Sequence, residues 1–298
     1  MRKRAFLAIA AGMVLIAGLE GSASPTPPPG FLDAWTWSMD DARFGGLSGL
    51  EIAENGLDFI ALSDRGAITS GQLSRDAQGR ITAISAQPFQ LLKAHGTAAL
   101  LAARADSEGL ALAPDGSVFV SFEGAARVLH YPRLGGSAEN LPVAPDFRHM
   151  PLNAALEALA IAPDGTLYTL PEQTAQQDQP FPVYRFRNDQ WENTLTIPRE
   201  GSFLPVGADF GPDGRFYLLE RDFRGLSGFA SRLRRFTLTD AGFADAKTLL
   251  ETPVGLHDNL ESVSIWRDAA GHLTASMISD DNFNLLLRTE IAEYRLPD

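Results

Sequence analysis

Acidic residues recur at the ends of short apolar runs in this sequence. The stretch DSEGLALAPDGSVFVSFEG, residues 106–124, has carboxylates near both ends and a Pro-Asp-Gly turn between its two apolar runs. Glu108 and Glu157 open two such runs 49 residues apart, and the same Ala-Pro-Asp-Gly turn follows each of them. Carboxylate oxygens are the ligands that Ca²⁺ binds, in groups of about six to eight oxygens. These residues can therefore support cation binding if the fold brings them together.

The acidic runs belong to a repeat. A third Pro-Asp-Gly turn, at residues 212–214, follows another 49 residues on, and looser copies of the unit lie near residues 48–56 and 261–271. Asp-Gly between runs of apolar, β-branched and aromatic residues indicates a β-hairpin, because glycine accepts the positive φ of the turn. Units of about 40 to 50 residues with four strands each are typical of a β-propeller.

The predicted fold class is therefore all-β, a single propeller of five four-stranded blades, or six if one blade is not recognisable. The alternative is a two-sheet sandwich. The run LDAWTW, residues 32–37, is expected to pair with EIAEYRL, residues 290–296, and so to complete the last blade. Residues 91–106 are expected to form a short helix between blades.

The chain is expected to comprise a signal peptide, a linker and one domain. Residues 2–4 are basic, residues 5–18 form an apolar run, and small residues follow, which together predict a secretory signal over residues 1–24. A membrane anchor is the weaker alternative, because the run is shorter than the roughly 20 residues of a spanning helix. A proline-rich linker, 25–30, and the propeller, 31–298, would then be periplasmic or secreted, without membrane contact after cleavage.

Composition excludes several classes of site and partner. The chain has no cysteine, so disulfides, thiolate metal sites and cysteine nucleophiles are absent. A formal net charge of −12 argues against nucleic acid and anionic lipid partners. An anionic substrate would need a cation to mediate its binding. The five histidines lack metal-site spacing, and the GLSGL and GLSGF segments lack the final glycine of a nucleophile elbow.

Propeller topology predicts where the acids lie. In each blade the innermost strand leaves one face and the second strand returns to it, so the start of the first and the end of the second share a face. The resulting pairs are Glu108 with Glu123, Glu157 with Glu172, Asp209 with Glu220, Glu261 with Asp280, and Ser48 with Asp64. Counted back from the turn glycine, Val206 fills the Glu108 position of the fourth unit. We call the channel end where these residues are expected to meet the acidic mouth.

Several strings in the chain resemble the phytase-like family, described by an esterase-like activity of phytase. They are GGLSGL, LSDRG, DSEGLAL, LEALAI, LLERDF, DNLESVS and ISDDNFN, spread over residues 45–284. The resemblance implies a propeller with a phosphoesterase-type activity. The residues it places in the site are Asp64, Arg65, Glu108, Glu157, Glu220, Arg221, Glu261, Asp280 and Asp281.

The first functional hypothesis is an exported, Ca²⁺-dependent hydrolase of a small anionic or phosphorylated substrate. Its metal ligands would be Asp64, Glu108, Glu157, Glu220, Glu261, Asp280 and Asp281. Its catalytic residues would be Glu108 and Glu157, as ligands or as a base, with Arg65 and Arg221 holding phosphate oxygens through paired N–H donors. The alternatives are a binding propeller with structural calcium and a lactone or sugar-ester hydrolase. The sequence does not indicate an oligomeric state.

Overall fold

The computed structural model describes residues 25–96, 98–101, 104–152, 154–174, 176, 178–284 and 286–297. Within these ranges no helix has the length and apolar character needed to cross a bilayer. The predicted signal peptide, residues 1–24, lies outside the described residues and stays a prediction.

The described residues form five antiparallel sheets, which are the blades of a propeller. The first blade contains β2 (Leu47–Ile52), β3 (Asp58–Ser63), β4 (Ala67–Arg75) and β5 (Ile81–Ala86), with β6 (Gln90–Leu91) paired to β4. The second contains β7 (Ser107–Leu112), β8 (Val118–Phe122), β9 (Arg127–Tyr131) and β10 (Glu139–Asn140). The third contains β11 (Leu156–Ile161), β12 (Leu167–Pro171), β13 (Phe181–Arg187) and β14 (Gln190–Ile197).

The fourth blade contains β15 (Leu204–Phe210), β16 (Phe216–Phe223), β17 (Phe229–Thr239) and β18 (Gly242–Glu251). The fifth contains β19 (Asn259–Arg267), β20 (Leu273–Asp280), β21 (Glu290–Arg295) and β1 (Phe31–Thr36). β1 pairs antiparallel with β21, with Phe31 opposite Tyr294 and Thr36 opposite Glu290. The five-bladed propeller and its closure by the amino-terminal run are thus confirmed.

The innermost strands of neighbouring blades contact one another around the channel, and β19 contacts β2 to complete the ring. Serine side chains link these strands where backbone groups would otherwise lack partners. The Leu50 amide donates to Ser262 Oγ at 3.0 Å, and the Ile52 amide donates to Ser264 Oγ at 2.9 Å. These bonds tie the first blade to the fifth, while buried apolar side chains fill the space between blades.

The three Pro-Asp-Gly turns form as the sequence predicts. Gly116, Gly165 and Gly214 have φ of 85°, 86° and 73°, the left-handed region that glycine accepts most readily. In the first two turns the aspartate accepts a hydrogen bond from the amide two residues on, at 2.9 Å for Asp115 and 3.0 Å for Asp164. These hairpins hold the first two strands of each blade in register and so position the channel end opposite the turns.

The helix predicted over residues 91–106 is wrong for the part of it that the structure describes. The Leu92 amide donates to Gly66 O at 2.8 Å, and Leu92 is buried in the apolar core of the second blade. Lys93 Nζ donates to Gly135 O at 2.7 Å. Pairing with two blades therefore holds the start of this segment extended despite its helix-forming composition, and Arg104 near its end lies in a 3₁₀ turn.

Short 3₁₀ helices lie elsewhere in the described chain. One, Pro145–His149, connects β10 to β11 and therefore lies between the second and third blades. The other, Gly225–Ser227, is within the fourth blade, in the connection from β16 to β17.

Candidate functional site

Each innermost strand carries a β-bulge at the equivalent position. The pairing of the first two strands shifts register between Leu47 and Gly49 in the first blade and at the matching point of every other blade. The residues at the bulges are Ser48, Glu108, Glu157, Val206 and Glu261, one for each blade in chain order. A bulge leaves its extra residue unpaired and redirects the side chain. We call these five residues the bulge ring.

A second ring is formed by one residue near the end of the second strand of each blade. The residue just before each bulge pairs with a residue of the second strand, and the next residue after that partner belongs to the ring. In the second blade, for example, Ser107 pairs with Phe122, and Glu123 comes next. The same register in the five blades gives Asp64, Glu123, Glu172, Arg221 and Asp280. We call these residues the outer ring. Both rings lie at the predicted end of the channel.

The register corrects the prediction for the fourth blade. Pro205 pairs with Glu220, so Arg221, and not Glu220, takes the outer-ring position. A shift of one residue along a strand moves a side chain to the opposite face. Glu220 is fully buried and accepts hydrogen bonds from Arg232 Nε at 2.8 Å and from Arg234 Nη2 at 2.5 Å. Its carboxylate is committed to two arginines, and Glu220 is therefore removed from the predicted metal ligands.

Asp209, which the sequence paired with Glu220, is also displaced from the mouth. Val206 occupies the fourth position of the bulge ring, in agreement with the alignment by turn glycines. Asp209 Oδ2 accepts a hydrogen bond from the Ile265 amide at 2.6 Å, and Asp209 lines a cavity at the opposite end of the channel.

Three carboxylates of the second blade can hold a metal ion. One oxygen from each of Asp106, Glu108 and Glu123 lies within 4.8 Å of the other two. Glu123 is buried, and its Oε1 accepts a hydrogen bond from the Ala155 amide at 3.0 Å. The donor set consists of oxygens alone, which fits a hard cation such as Ca²⁺ and does not favour a softer metal.

Burial and mutual repulsion raise the pKa values at the mouth. Burial, together with the charges of Glu261 and Glu123, raises the pKa of Glu108 well above its ordinary value. Burial and the charge of Glu108 do the same to the pKa of Glu157. Burial raises the pKa of Asp64 to about 7 and that of Asp280 to about 8, with the charge of Glu261 adding to both shifts. A bound cation would relieve this repulsion, so the electrostatics also fit a metal site.

Arg221, which belongs to the fourth blade, is hydrogen bonded to residues of the third and fifth blades. Its Nη2 donates to Glu172 Oε1 at 2.8 Å, and its Nη1 donates to Asn259 Oδ1 at 2.6 Å and to Glu261 Oε1. Asn259 Nδ2 also donates to Glu261 Oε1 at 2.6 Å. Most of the guanidinium is therefore engaged with the protein, which weakens its predicted role as a phosphate ligand.

Arg65 and Asp281 lie on the loops at the rim. Arg65 is exposed, and its guanidinium carbon lies 3.1 Å from the centroid of the Phe283 ring. Asp281 Oδ1 accepts hydrogen bonds from the amides of Gly46 and Phe283, each at 2.9 Å, and Oδ2 accepts one from Thr289 Oγ1 at 3.1 Å. Asp281 therefore fixes the loop under Arg65, and we no longer count it among the metal ligands.

Gly46 makes this arrangement possible. Its φ is +59°, and a Cβ at this position would overlap both Asp64 Oδ1 and the Phe283 ring. The close packing of Asp64 and Phe283 therefore depends on the absence of a side chain here.

Two residues near the bulge ring were not assigned to the site from sequence. Asp106 precedes Glu108 by two positions, and Asn259 precedes Glu261 by two. Side chains two residues apart in a strand share a face, so this spacing was a usable signal.

The opposite end of the channel contains a cavity of about 750 Å³. Glu51 and Asp209 line it together with apolar residues such as Ile161, while Glu54 and Arg267 also contribute to its wall. Burial and the charge of Asp209 raise the pKa of Glu51 well above its ordinary value, and burial raises the pKa of Asp209 to about 7.

Comparison with known protein families identifies the class to which this propeller belongs. The sequence model of the phytase-like family, described as "Esterase-like activity of phytase", matches residues 42–283. The chain therefore belongs to the phytase-like family, and the resemblance seen in its short motifs is confirmed. No curated protein matches the chain.

Solved structures align with this chain at low sequence identity. The catalytic domain of an α-L-arabinofuranosidase from Coprinopsis cinerea aligns with a TM-score of 0.54 and 12% identity, over 92% of this chain and 98% of that one. A protein of unknown function from Dyadobacter fermentans aligns with a TM-score of 0.49 and 11% identity, over 91% and 88%. A gluconolactonase from Xanthomonas campestris aligns with a TM-score of 0.45 and 14% identity, over 84% and 72%. The first of these three similarities concerns the fold alone.

Proposed function

We propose that this protein is an exported hydrolase of small phosphoesters that depends on a divalent cation, with Ca²⁺ as the expected ion. The observation that carries the proposal is the convergence of Asp106, Glu108 and Glu123, whose oxygens lie within 4.8 Å of one another. The description of the family by an esterase-like activity supports a hydrolase. Export depends on the predicted signal over residues 1–24.

A bound cation would allow this acidic protein to bind a negatively charged phosphate group. The chain carries a formal net charge of −12, so a phosphate group would be repelled from a mouth lined by carboxylates. When bound, a divalent cation supplies charge neutralisation, polarises a phosphoryl oxygen and lowers the pKa of a bound water. Asp106, Glu108 and Glu123 would hold it.

The proposed roles of Glu157 and Arg65 follow from their burial and from the groups that they contact. Glu157 shares a hydrogen bond with Glu123, and burial and the charge of Glu108 raise its pKa. A raised pKa makes a carboxylate a stronger proton acceptor, so Glu157 is the proposed base. Arg65 is exposed beside Asp64, and within the described part of the chain its guanidinium donates no hydrogen bond and lies over the Phe283 ring. Its guanidinium is the proposed contact for the substrate anion.

Glu108→Gln tests the proposal directly. The substitution removes a charge from the proposed metal site with little change in shape. We expect it to lower kcat/KM on phosphoesters by about 100-fold or more. We also expect wild-type activity to disappear with a chelator and to return with Ca²⁺. The measurement is initial-rate hydrolysis across a panel of phosphoesters, run beside a panel of lactones and sugar esters.

Glu139→Gln is the matched control, because Glu139 lies on β10 of the same blade and is exposed. It should retain wild-type rates. Ca²⁺-dependent stabilisation without turnover on any panel would contradict hydrolysis and favour a binding propeller. Turnover confined to lactones or sugar esters would contradict the phosphoester assignment.

A further inference from the structure

The charges of the acidic mouth are distributed unequally. On one side, Arg221 is hydrogen bonded to Glu172 and Glu261. On the other side, Asp106, Glu108 and Glu123 form no ion pair with any arginine, lysine or histidine in the described part of the chain. The outer ring thus contains four carboxylates and one guanidinium, with the positive charge in the fourth blade.

The position of Arg221 explains this asymmetry. The bulge-ring residue of the same blade is Val206, so the fourth blade contributes no carboxylate to either ring. The Arg221 guanidinium reaches carboxylates of the third and fifth blades, in the way a bound ion would connect them. Its charge is permanent, because arginine stays protonated in proteins.

We infer that Arg221 occupies the place of a cation and limits the acidic mouth to one divalent ion, held on the side of the second blade. The inference rests on the cation site of the proposed function. The guanidinium is hydrogen bonded to both Glu172 and Glu261 and offsets one of their two negative charges, so neither carboxylate is free to receive a second ion. Arg221 is thereby a residue that determines how many ions bind and where they bind.

Two isosteric variants at equivalent outer-ring positions test where the ion binds. Glu123 and Glu172 follow the second strand of neighbouring blades, and each can be changed to glutamine. In calorimetric titration of the full-length protein with CaCl₂, we expect Glu123→Gln to weaken Ca²⁺ binding by about tenfold or more. Glu172→Gln should change the affinity by less than about threefold. Equal losses in the two variants would overturn the inference.

Arg221→Gln tests the number of ions. Wild type is expected to bind one Ca²⁺, and the variant two, because the freed Glu172 and Glu261 become ligands. Arg80→Gln is the control for charge alone, since Arg80 lies in the exposed β4–β5 turn and pairs only with Asp76 in the described structure. It should bind one. If Arg221→Gln is unstable without Ca²⁺, the variant is purified and titrated from a Ca²⁺-loaded state by a competing chelator.

The outcomes separate this inference from the proposed function. Folded wild type that binds no Ca²⁺ contradicts the proposed function, whatever the variants do. Wild type and Arg221→Gln that each bind one ion leave the cation site intact and overturn the role of Arg221. Wild type that binds two ions overturns it as well.

Discussion

Replacing Glu220 by glutamine is expected to lower the free energy of unfolding by about 3–5 kcal/mol, the usual cost of removing one partner of a buried ion pair. Glu220 is fully buried, and Arg232 and Arg234 are almost as inaccessible. The glutamine would remove the buried carboxylate that the two guanidinium groups share and leave them paired with Glu200, whose side chain is half exposed. Arg234 retains Pro198 O at 3.1 Å and Glu200 Oε1 at 3.1 Å, which moderates the loss. Urea unfolding at neutral pH measures it.

Glu192→Gln is the matched control for this prediction. Glu192 also accepts hydrogen bonds from two arginines, Arg185 and Arg187, but the pairs lie near the surface. Surface pairs of this kind contribute about 0–1 kcal/mol, so the control should change stability by no more than that. Similar losses in both variants would contradict the buried role of Glu220. The Ca²⁺ affinity of Glu220→Gln should match that of wild type as long as the protein is folded.

We expect wild type to lose stability as the pH rises, and we expect Glu51→Gln to remove part of that loss. The pKa of Glu51 is raised well above 4.5 in the folded state by burial and by the charge of Asp209. The folded protein therefore binds more protons than the unfolded chain between the two pKa values, and stability falls as the pH rises through this interval. One such group contributes a slope of at most about 1.4 kcal/mol per pH unit.

The measurement is urea unfolding from pH 5 to pH 8 in the presence of a chelator. Glu51→Gln should show the shallower slope and should exceed wild type in stability at pH 8. Glu51 is faced by Asp209, by Ser264 Oγ at 3.4 Å and by the Leu112 amide at 3.3 Å. Asp209 and the mouth residues remain in the variant, so the difference in slope reports the titration of Glu51 together with its coupling to Asp209.

Glu54→Gln is the control, because Glu54 lines the same cavity and is exposed. Its slope should equal that of wild type. Parallel slopes for wild type and Glu51→Gln would refute the raised pKa of Glu51.

The repeat made most of the fold predictable. Turn glycines 49 residues apart determined the blade length, and the pairing of LDAWTW with EIAEYRL followed from the need to complete the last blade. The same alignment placed Glu108, Glu157 and Glu261 at equivalent positions, where the structure has a bulge. Periodicity was sufficient here because each blade repeats one local geometry.

The fourth blade shows where periodicity alone fails. Glu220 and Arg221 are neighbours in a strand, and the choice of which faces the channel depends on the pairing of β15 with β16. The burial of Glu220 depends on Arg232 and Arg234, which belong to a later strand. The local spacing of acidic residues does not show which residues of a later strand will pair with them. For the same reason the helix predicted over residues 91–106 could not be rejected from its composition.

The pairing of Phe31 with Tyr294 has a consequence for the order of events during synthesis. Four complete blades, β2 to β18, are translated between β1 and its partner β21. Contacts between segments so distant in the chain form slowly, and unpaired strand edges invite association with other chains. The nascent protein must therefore keep an aromatic segment without its partner while four blades are made, and loss of β21 would leave that segment unpaired for good.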